Sequence, residues 1–463
     1  MLKPQKVTRA LPAALVVALC LTASAPVASA ATSFQRLPGF KSPGTPAKYN
    51  RVGVIKVGPS KAPNVLVLNP GTSASAAYFV PLANTVVKQA KGWQVWSVER
   101  RENLLEDHSQ ADRAKAGTGT AKELFDYYLG YIGHPEVTKH FVGIPNEQVQ
   151  FAKGWGMRTE IEDLRRVVGA AAKGGRRVVV GGHSLGGSIT AAYATWDFHG
   201  TPGAHGLSGL VFIDGGSSPE PVTTQEAQKS LDDLDAGSPW LSFGGIPAPF
   251  AGLFNVVAAG FVKLEPNAPS RLQASGLLPA NISAPFPVTN VGGYGFALDT
   301  ETSPPELAAA QAHLGRSAAS GDPRGWDAAG ELTPIQRFAD MFFGTGLKGF
   351  DGTAWYHPMR LTIDSRAVAA GNRNPAQKVL DVHATHGDDL PRDLEIYAFG
   401  AALGGKRVLD AARALAKQSH IPSRQLTLVD RAKTYAHNDP NSASPGNDFV
   451  KRLVPFLRRI ARR

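Results

Sequence analysis

The chain predicts an α/β protein: a mostly parallel central sheet with crossover helices, interrupted late by a large, mainly helical cap. Three observations carry this expectation. Short β-branched runs alternate with helix-period segments over residues 52–98, the order that builds a parallel sheet with helices packed across it. The run Arg177-Val178-Val179-Val180 leads through Gly181-Gly182-His183-Ser184-Leu185-Gly186 into an Ala-rich stretch, which reads as a buried strand, a tight corner and a helix start. Residues 215–392 then lose the alternation and gain Pro, Gly and scattered aromatics. A segment of that length is too long to be structureless inside a compact protein.

Composition sets the outer limits. With 463 residues, 43% hydrophobic and 19% charged, the chain is ordinary globular material and large enough to build a sizeable core. Lys3, Lys6 and Arg9 precede an apolar run over residues 11–21, and Ala28-Ser29-Ala30 follows. This is the pattern of an export signal cleaved after Ala30, and the run is too short for a comfortable membrane span. Residues 1–30 are therefore expected to be removed, giving a secreted or extracytoplasmic product with no integral membrane span. Cys20 is the only cysteine, so the mature chain holds no disulfide, thiol nucleophile or thiolate ligand. Removing three basic residues lowers the formal charge from +11 to +8. The basic residues are dispersed apart from a group that closes the last helix, where cations complement the helix dipole. No nucleic-acid partner is expected. Association with an anionic envelope remains open.

In order, residues 31–50 read as an extended arm, 52–57 as an edge strand and 64–68 as a buried strand running into Asn69-Pro70-Gly71-Thr72. A helix over 78–91 and a strand over 93–98 follow. The aromatic patch at 124–129 is read as helix packing rather than a channel wall. An amphipathic helix over 160–172 places Ile161, Leu164, Val167 and Val168 on one face and leads into the Ser184 strand. Residues 207–213 form the next strand, ending at Asp214. The expected division is 31–214 and 393–463 for the core and 215–392 for a cap with a small core of its own. After the cap come a strand at 394–399, a helix at 406–418, a strand at 425–429 and a closing helix at 448–459.

The chemistry is sought at the corner. Gly182 and Gly186 flank Ser184 at the G-x-S-x-G spacing, where a side chain on either would strike neighbouring backbone. Such a corner raises the serine hydroxyl above the sheet and puts the Leu185 N–H at a helix N-terminus, ready for a developing oxyanion. A serine hydroxyl is a weak nucleophile without a base, and the base needs a third group to orient it. His437, in the loop beyond the last strand, is the expected base, and the neighbouring His183 is expected only to pack. Asp214 is the expected acid, since it ends the strand after the nucleophile strand; Asp410 and Asp430 are the alternatives. Thr72 in the early turn is expected to supply the second oxyanion N–H. The run Asp381, His383, His386, Asp388 and Asp389 reads as a solvated turn rather than a metal cluster, and Asn281-Ile282-Ser283 matches a glycosylation acceptor.

The corner Gly182-His183-Ser184-Leu185-Gly186, the turn Asn69-Pro70-Gly71-Thr72 and the late His437 together resemble the α/β-hydrolase superfamily. The resemblance covers about residues 50–214 and 393–463, not the cap. It implies the α/β-hydrolase fold and hydrolysis of carboxylic esters, esterase- or lipase-like, through an acyl-enzyme on Ser184, without metal or cofactor. The substrate would be a small-molecule or lipid ester. The chain departs from the commonest pattern because no carboxylate follows the post-cap strand. Two alternatives stay open: a peptidase or acyltransferase using the same residues, or a catalytically silent, envelope-associated binding protein.

Overall fold

The computed structural model describes residues 31–217, 220–369 and 373–463; the expected export signal and Cys20 lie outside them. Eight strands form one sheet in the order β1-β2-β4-β3-β5-β6-β9-β10. They are β1 (Thr32–Pro38), β2 (Arg51–Val57), β3 (Asn64–Asn69), β4 (Trp93–Glu99), β5 (Arg177–His183), β6 (Gly209–Ile213), β9 (Glu395–Gly400) and β10 (Leu426–Asp430). A separate hairpin, β7 (Arg316–Gly321) with β8 (Arg324–Asp327), lies in the insertion. Within the eight-stranded sheet β1/β2 and β2/β4 are antiparallel and the remaining pairs are parallel.

Two-residue periodicity divides the sheet into two faces. Leu66, Leu68, Val179, Val211, Ile213, Tyr397 and Phe399 face one core, while Val65, Val67, Val178, Val180, Leu210, Phe212, Ile396 and Ala398 face the other. The first face is covered by the helices Val80–Gln89 and Asp448–Ala461, the second by Met157–Ala172, Leu185–Thr195 and Gly405–Gln418. Burial on both faces explains why the central strands read as unbroken apolar runs. Arg459 of the closing helix and Arg463 just beyond it fold back onto the buried carboxylate of Glu395.

Three expectations change. Residues 32–38 are a strand rather than an arm: β1 pairs with β2 along its whole length, yet nearly every side chain is exposed. The backbone ladder carries most of its contacts, and the two apolar ones, Phe34 against Phe350 and Leu37 against the second core, are too few to show as an alternation. Consequently β2 is an interior strand, not an edge. Among the described residues, the insertion's apolar side chains also form no core separate from the sheet's. Leu253, Val257, Phe261, Phe338 and Trp355 join the same cluster as Leu66, Leu68 and Tyr397 of the sheet. Meanwhile Ala227, Leu361, Ile363 and Leu380 pack on the opposite face with Ile161 and Leu164. The segment thus straddles both faces, with the helices Thr224–Ala236, Met359–Ser365 and Pro375–Leu380 on one side and Phe250–Leu264, Asn290–Leu298 and Ile335–Phe343 on the other.

The patch at 124–129 packs as expected: Leu124, Phe125 and Tyr128 on the helix Ala121–Tyr128 are buried. Among the described residues no helix is long and apolar enough to cross a membrane. The shared core has a measurable consequence. Phe338 is fully buried with its ring 4.9 Å from that of Phe342, so Phe338→Ala is expected to cost about 3–5 kcal/mol. In urea titration, far-UV dichroism and tryptophan fluorescence of the parent should fall in one coincident transition, and the variant's midpoint should drop on both.

Candidate active site

Five chain segments leave the carboxyl edge of the sheet side by side: the turn after β3, the corner after β5, and the loops after β6, β9 and β10. This is the edge at which open α/β sheets assemble ligand sites. Ser184 stands between β5 and the helix Leu185–Thr195 with φ 56° and ψ −125°, a conformation that a non-glycine residue adopts only when its surroundings force it. The forcing is visible on both sides. A Cβ on Gly182 would lie 2.1 Å from the Gly186 carbonyl oxygen, and one on Gly186 would lie 2.0 Å from that of Asn69. The Ser184 N–H donates to the Ile213 carbonyl at 3.0 Å, tying the corner to the end of β6.

Asp214 follows directly, also at positive φ (44°), and its carboxylate is buried. Oδ2 accepts from His437 Nδ1 at 2.7 Å. The same carboxylate accepts the backbone N–H groups of Ala401 (2.6 Å), Leu403 (3.2 Å), Gly404 (3.0 Å) and Gly405 (3.2 Å). Desolvation by burial works against its charge, but the His437 contact and the Ala401 N–H outweigh it and hold the carboxyl below its ordinary value. The post-β9 loop, which offers no carboxylate, instead supplies amides to one from β6. Neither alternative acid reaches His437. Asp410 is paired with Lys406 and Arg413 on an exposed helix face, and Asp430 is exposed and accepts from the Ala432 N–H.

His183 is more than a packing residue. Its Nε2 lies 2.8 Å from the His437 carbonyl oxygen; that oxygen can only accept, so Nε2 carries the proton. Nδ1 is then left facing the Tyr78 hydroxyl at 3.2 Å. Tyr78 in turn donates to Asn438 Oδ1 at 2.6 Å and accepts from Asn441 Nδ2 at 2.8 Å. The residues next to Ser184 and next to His437 are thereby joined. Burial, with the nearby His437, pushes the His183 imidazole down to about 3.

The turn after β3 closes the third side. A Cβ on Gly71 would sit 2.9 Å from Ser184 Cβ, so Thr72 is held beside the serine, and both line one cleft with His437. Leu185 opens the helix, leaving its N–H outside the helix's own ladder. Sequence reasoning missed what braces the turn. Arg100 is 2% exposed, and its guanidinium donates to the carbonyls of Pro70 (2.9 Å), Gly71 (3.0 Å) and Ala74 (3.0 Å) and to Glu102 (2.7 Å). An arginine at a strand end gave no local sign of this, since its partners lie some 30 residues earlier.

The cleft runs from Ser184 into the insertion, and its empty space, counted together with the solvent at its mouth, is about 1340 Å³. Among the described residues its lining contains no Lys, Arg, Asp or Glu and is rich in Phe, Leu, Ile and Ala. Residues 124–129 do not line it. The run at 381–389 forms separate ion pairs, Asp381 with Arg158 and His383, His386 with Asp197 and Asp389. Among the described residues the group able to hold a metal is Glu106, His108 and Asp351. Its ring nitrogens already face Glu106 at 3.0 Å and Asp351 at 3.2 Å. Burial opposes the imidazolium, but the two carboxylates overcome it and raise the group. The trio reads as a buried ion cluster packed against Trp355.

No protein-family model matches the sequence, and no curated protein matches it. Solved structures with similar chain courses include a candidate lipase from Sulfolobus solfataricus, at 16% identity over 93% of both chains with a TM-score of 0.46. A thermostable carboxyl esterase from Bacillus coagulans matches at 14% identity over 92% of this chain and 99% of its own, TM-score 0.39. The thioesterase domain of the curacin biosynthetic pathway matches at 10% over 93% and 99%, TM-score 0.39. At these identities the chemistry has to be read from the chain's own residues.

The His183 environment sets a pH dependence. The unfolded chain protonates this group near 6.5 and the folded chain only near 3, so between those values the unfolded state binds the extra proton and stability falls as pH drops, by at most about 1.4 kcal/mol per pH unit. In urea titrations at pH 7, 5.5 and 4.5, His183→Asn should lose less stability on acidification than the parent does.

Proposed function

We propose that the protein is a serine hydrolase of the α/β-hydrolase superfamily that cleaves neutral carboxylic esters through an acyl-enzyme on Ser184. The observation that carries this reading is the buried Asp214–His437 pair beside a serine at a strained strand-to-helix corner, a combination with no evident use in packing.

In the proposed sequence, the Ser184 hydroxyl attacks the ester carbonyl carbon while His437, through its other ring nitrogen, takes the proton. Asp214 keeps the imidazole in the required tautomer and stabilises the imidazolium that forms. The oxyanion of the tetrahedral intermediate is received by the Leu185 and Thr72 N–H groups. As the intermediate collapses, the ester C–O bond breaks and His437 returns the proton to the leaving alcohol. Water, deprotonated by the same imidazole, then adds to the acyl-enzyme and releases the acid and Ser184. Arg100 acts as a positioning residue, fixing the turn that carries Thr72.

The cleft supports an apolar, uncharged substrate. A charged group brought into a lining without counter-ions would lose its hydration with nothing in return, whereas hydrocarbon gains from burial. Residues 215–392 serve in this reading as the cap that selects the substrate, and residues 1–30 as an export signal that places the enzyme outside the cytoplasm.

Initial rates on p-nitrophenyl esters of increasing acyl length test the proposal. The parent should turn over neutral esters, with Ser184→Ala and His437→Ala each losing at least about 10⁴-fold in kcat and Asp214→Asn about 10⁴-fold. Full activity in a folded Ser184→Ala protein would refute it. Arg100→Met should lower kcat by about 10²-fold while KM stays within about threefold, the signature of a lost oxyanion contact; a rise in KM alone would remove Arg100 from this role.

A further inference from the structure

Two helices of the insertion face the cleft. On Phe250–Leu264 the lining residues Ala251, Gly252, Phe254, Asn255, Ala258 and Phe261 follow helical spacing, and of these Ala251, Phe254, Asn255 and Ala258 are half-buried. On Asn290–Leu298 the lining positions are Asn290, Gly293, Tyr294, Ala297 and Leu298. The Tyr294 hydroxyl donates to Asn255 Oδ1 at 3.2 Å, bridging the two helices.

Other amide side chains from this segment are spent on backbone. Asn290 Nδ2 donates to the Glu265 carbonyl at 2.8 Å and Oδ1 accepts from the Arg271 N–H at 3.3 Å. Gln273 donates to the Ala284 and Phe286 carbonyls and accepts from the Val288 N–H. Asn255 differs. Its bond to Tyr294 uses one polar atom of the amide, and among the described residues the other has no protein partner. Burial pushes the Tyr294 hydroxyl well up, so it stays a neutral O–H. An amide with an unspent polar atom on an apolar wall weakens packing there unless a ligand or water completes it. Leucine, of nearly the same volume, would fill the place without that cost.

We propose that Asn255 and Tyr294 form a subsite for one uncharged hydrogen-bonding oxygen, hydroxyl or keto, carried on the apolar chain of the substrate. The Asn255 amide donates to that oxygen, and a hydroxyl gains a second bond by donating to Tyr294 Oη. The subsite rests on the reading of this cleft as the site of ester hydrolysis. It adds that the natural ester is not plain hydrocarbon: a site built to bond an oxygen discriminates against the analogue that lacks it.

The test uses methyl decanoate and matched esters bearing one keto or hydroxyl group at successive carbons. Binding is read by tryptophan fluorescence on Ser184→Ala protein, which cannot turn the esters over. At one or two adjacent positions the oxygenated ester should bind at least about tenfold more tightly than methyl decanoate. Adding Asn255→Leu should bring the ratio to within about twofold for keto and hydroxyl esters alike, and Tyr294→Phe should lower it for the hydroxyl esters more than for the keto esters. Tyr294→Phe removes one oxygen atom only, so it still reports if Asn255→Leu does not fold. Equal affinity across the series, no measurable binding, or a preference that survives both substitutions overturns the subsite. Turnover is measured separately on the parent, so a failure of hydrolysis counts against the esterase reading and a failure of the binding preference counts against the subsite.

Discussion

A carboxylate in a dry interior stays ionised only when donors surround it, and Asp214 is surrounded by five. Four are backbone N–H groups of residues 401–405 and the fifth is His437 Nδ1. Each donor comes from a loop that leaves the same sheet edge, so one side chain fixes the geometry between the ends of β6, β9 and β10. Gly404 allows the approach, since a Cβ there would lie 2.8 Å from the carboxylate. On the other side, the Ser184 N–H is anchored to the residue preceding Asp214, and His183 holds the His437 carbonyl. The Ser184 corner, the His437 loop and Asp214 are therefore tied to one another by hydrogen bonds.

The insertion is bound into this arrangement rather than laid over it. Asn438, next to His437, donates its backbone N–H to the Gln311 carbonyl at 3.1 Å and a side-chain N–H to the Ala309 carbonyl at 3.1 Å. Asp439, fully buried, accepts from the His313 backbone at 3.0 Å and from Thr333 at 2.8 Å. With the apolar core also shared across the boundary, the wall of the cleft and the base loop are parts of one packed body. A charge-free cleft of this size is then a fixed feature of the fold.

Much of this was legible in the residues. The central strands announce themselves as valine and leucine runs because both faces are covered, and Gly182 and Gly186 are required by contacts closer than any side chain permits. Asp214 could be favoured over Asp410 because strand order puts it on the right edge, whereas Asp410 lies inside a helix. What escaped depends on contacts distant in sequence or on backbone alone. β1 is exposed along nearly its whole length and depends mainly on its ladder with β2, with Phe34 and Leu37 as its apolar contacts. The amide cradle of residues 401–405 has no side-chain signature beyond a Gly-rich run, Arg100 looks like any strand-end arginine until its three carbonyl partners are seen, and His183 differs from a packing histidine only by the position of His437.

The central claim is that Ser184 is made nucleophilic by the Asp214–His437 pair. Reaction of the purified protein with a fluorophosphonate, followed by peptide mass mapping, tests it most directly. The account predicts a single adduct on the peptide containing Ser184, formed at least about 10³-fold more slowly in Asp214→Asn protein. A folded parent that takes no label, or takes it at another residue, would contradict it.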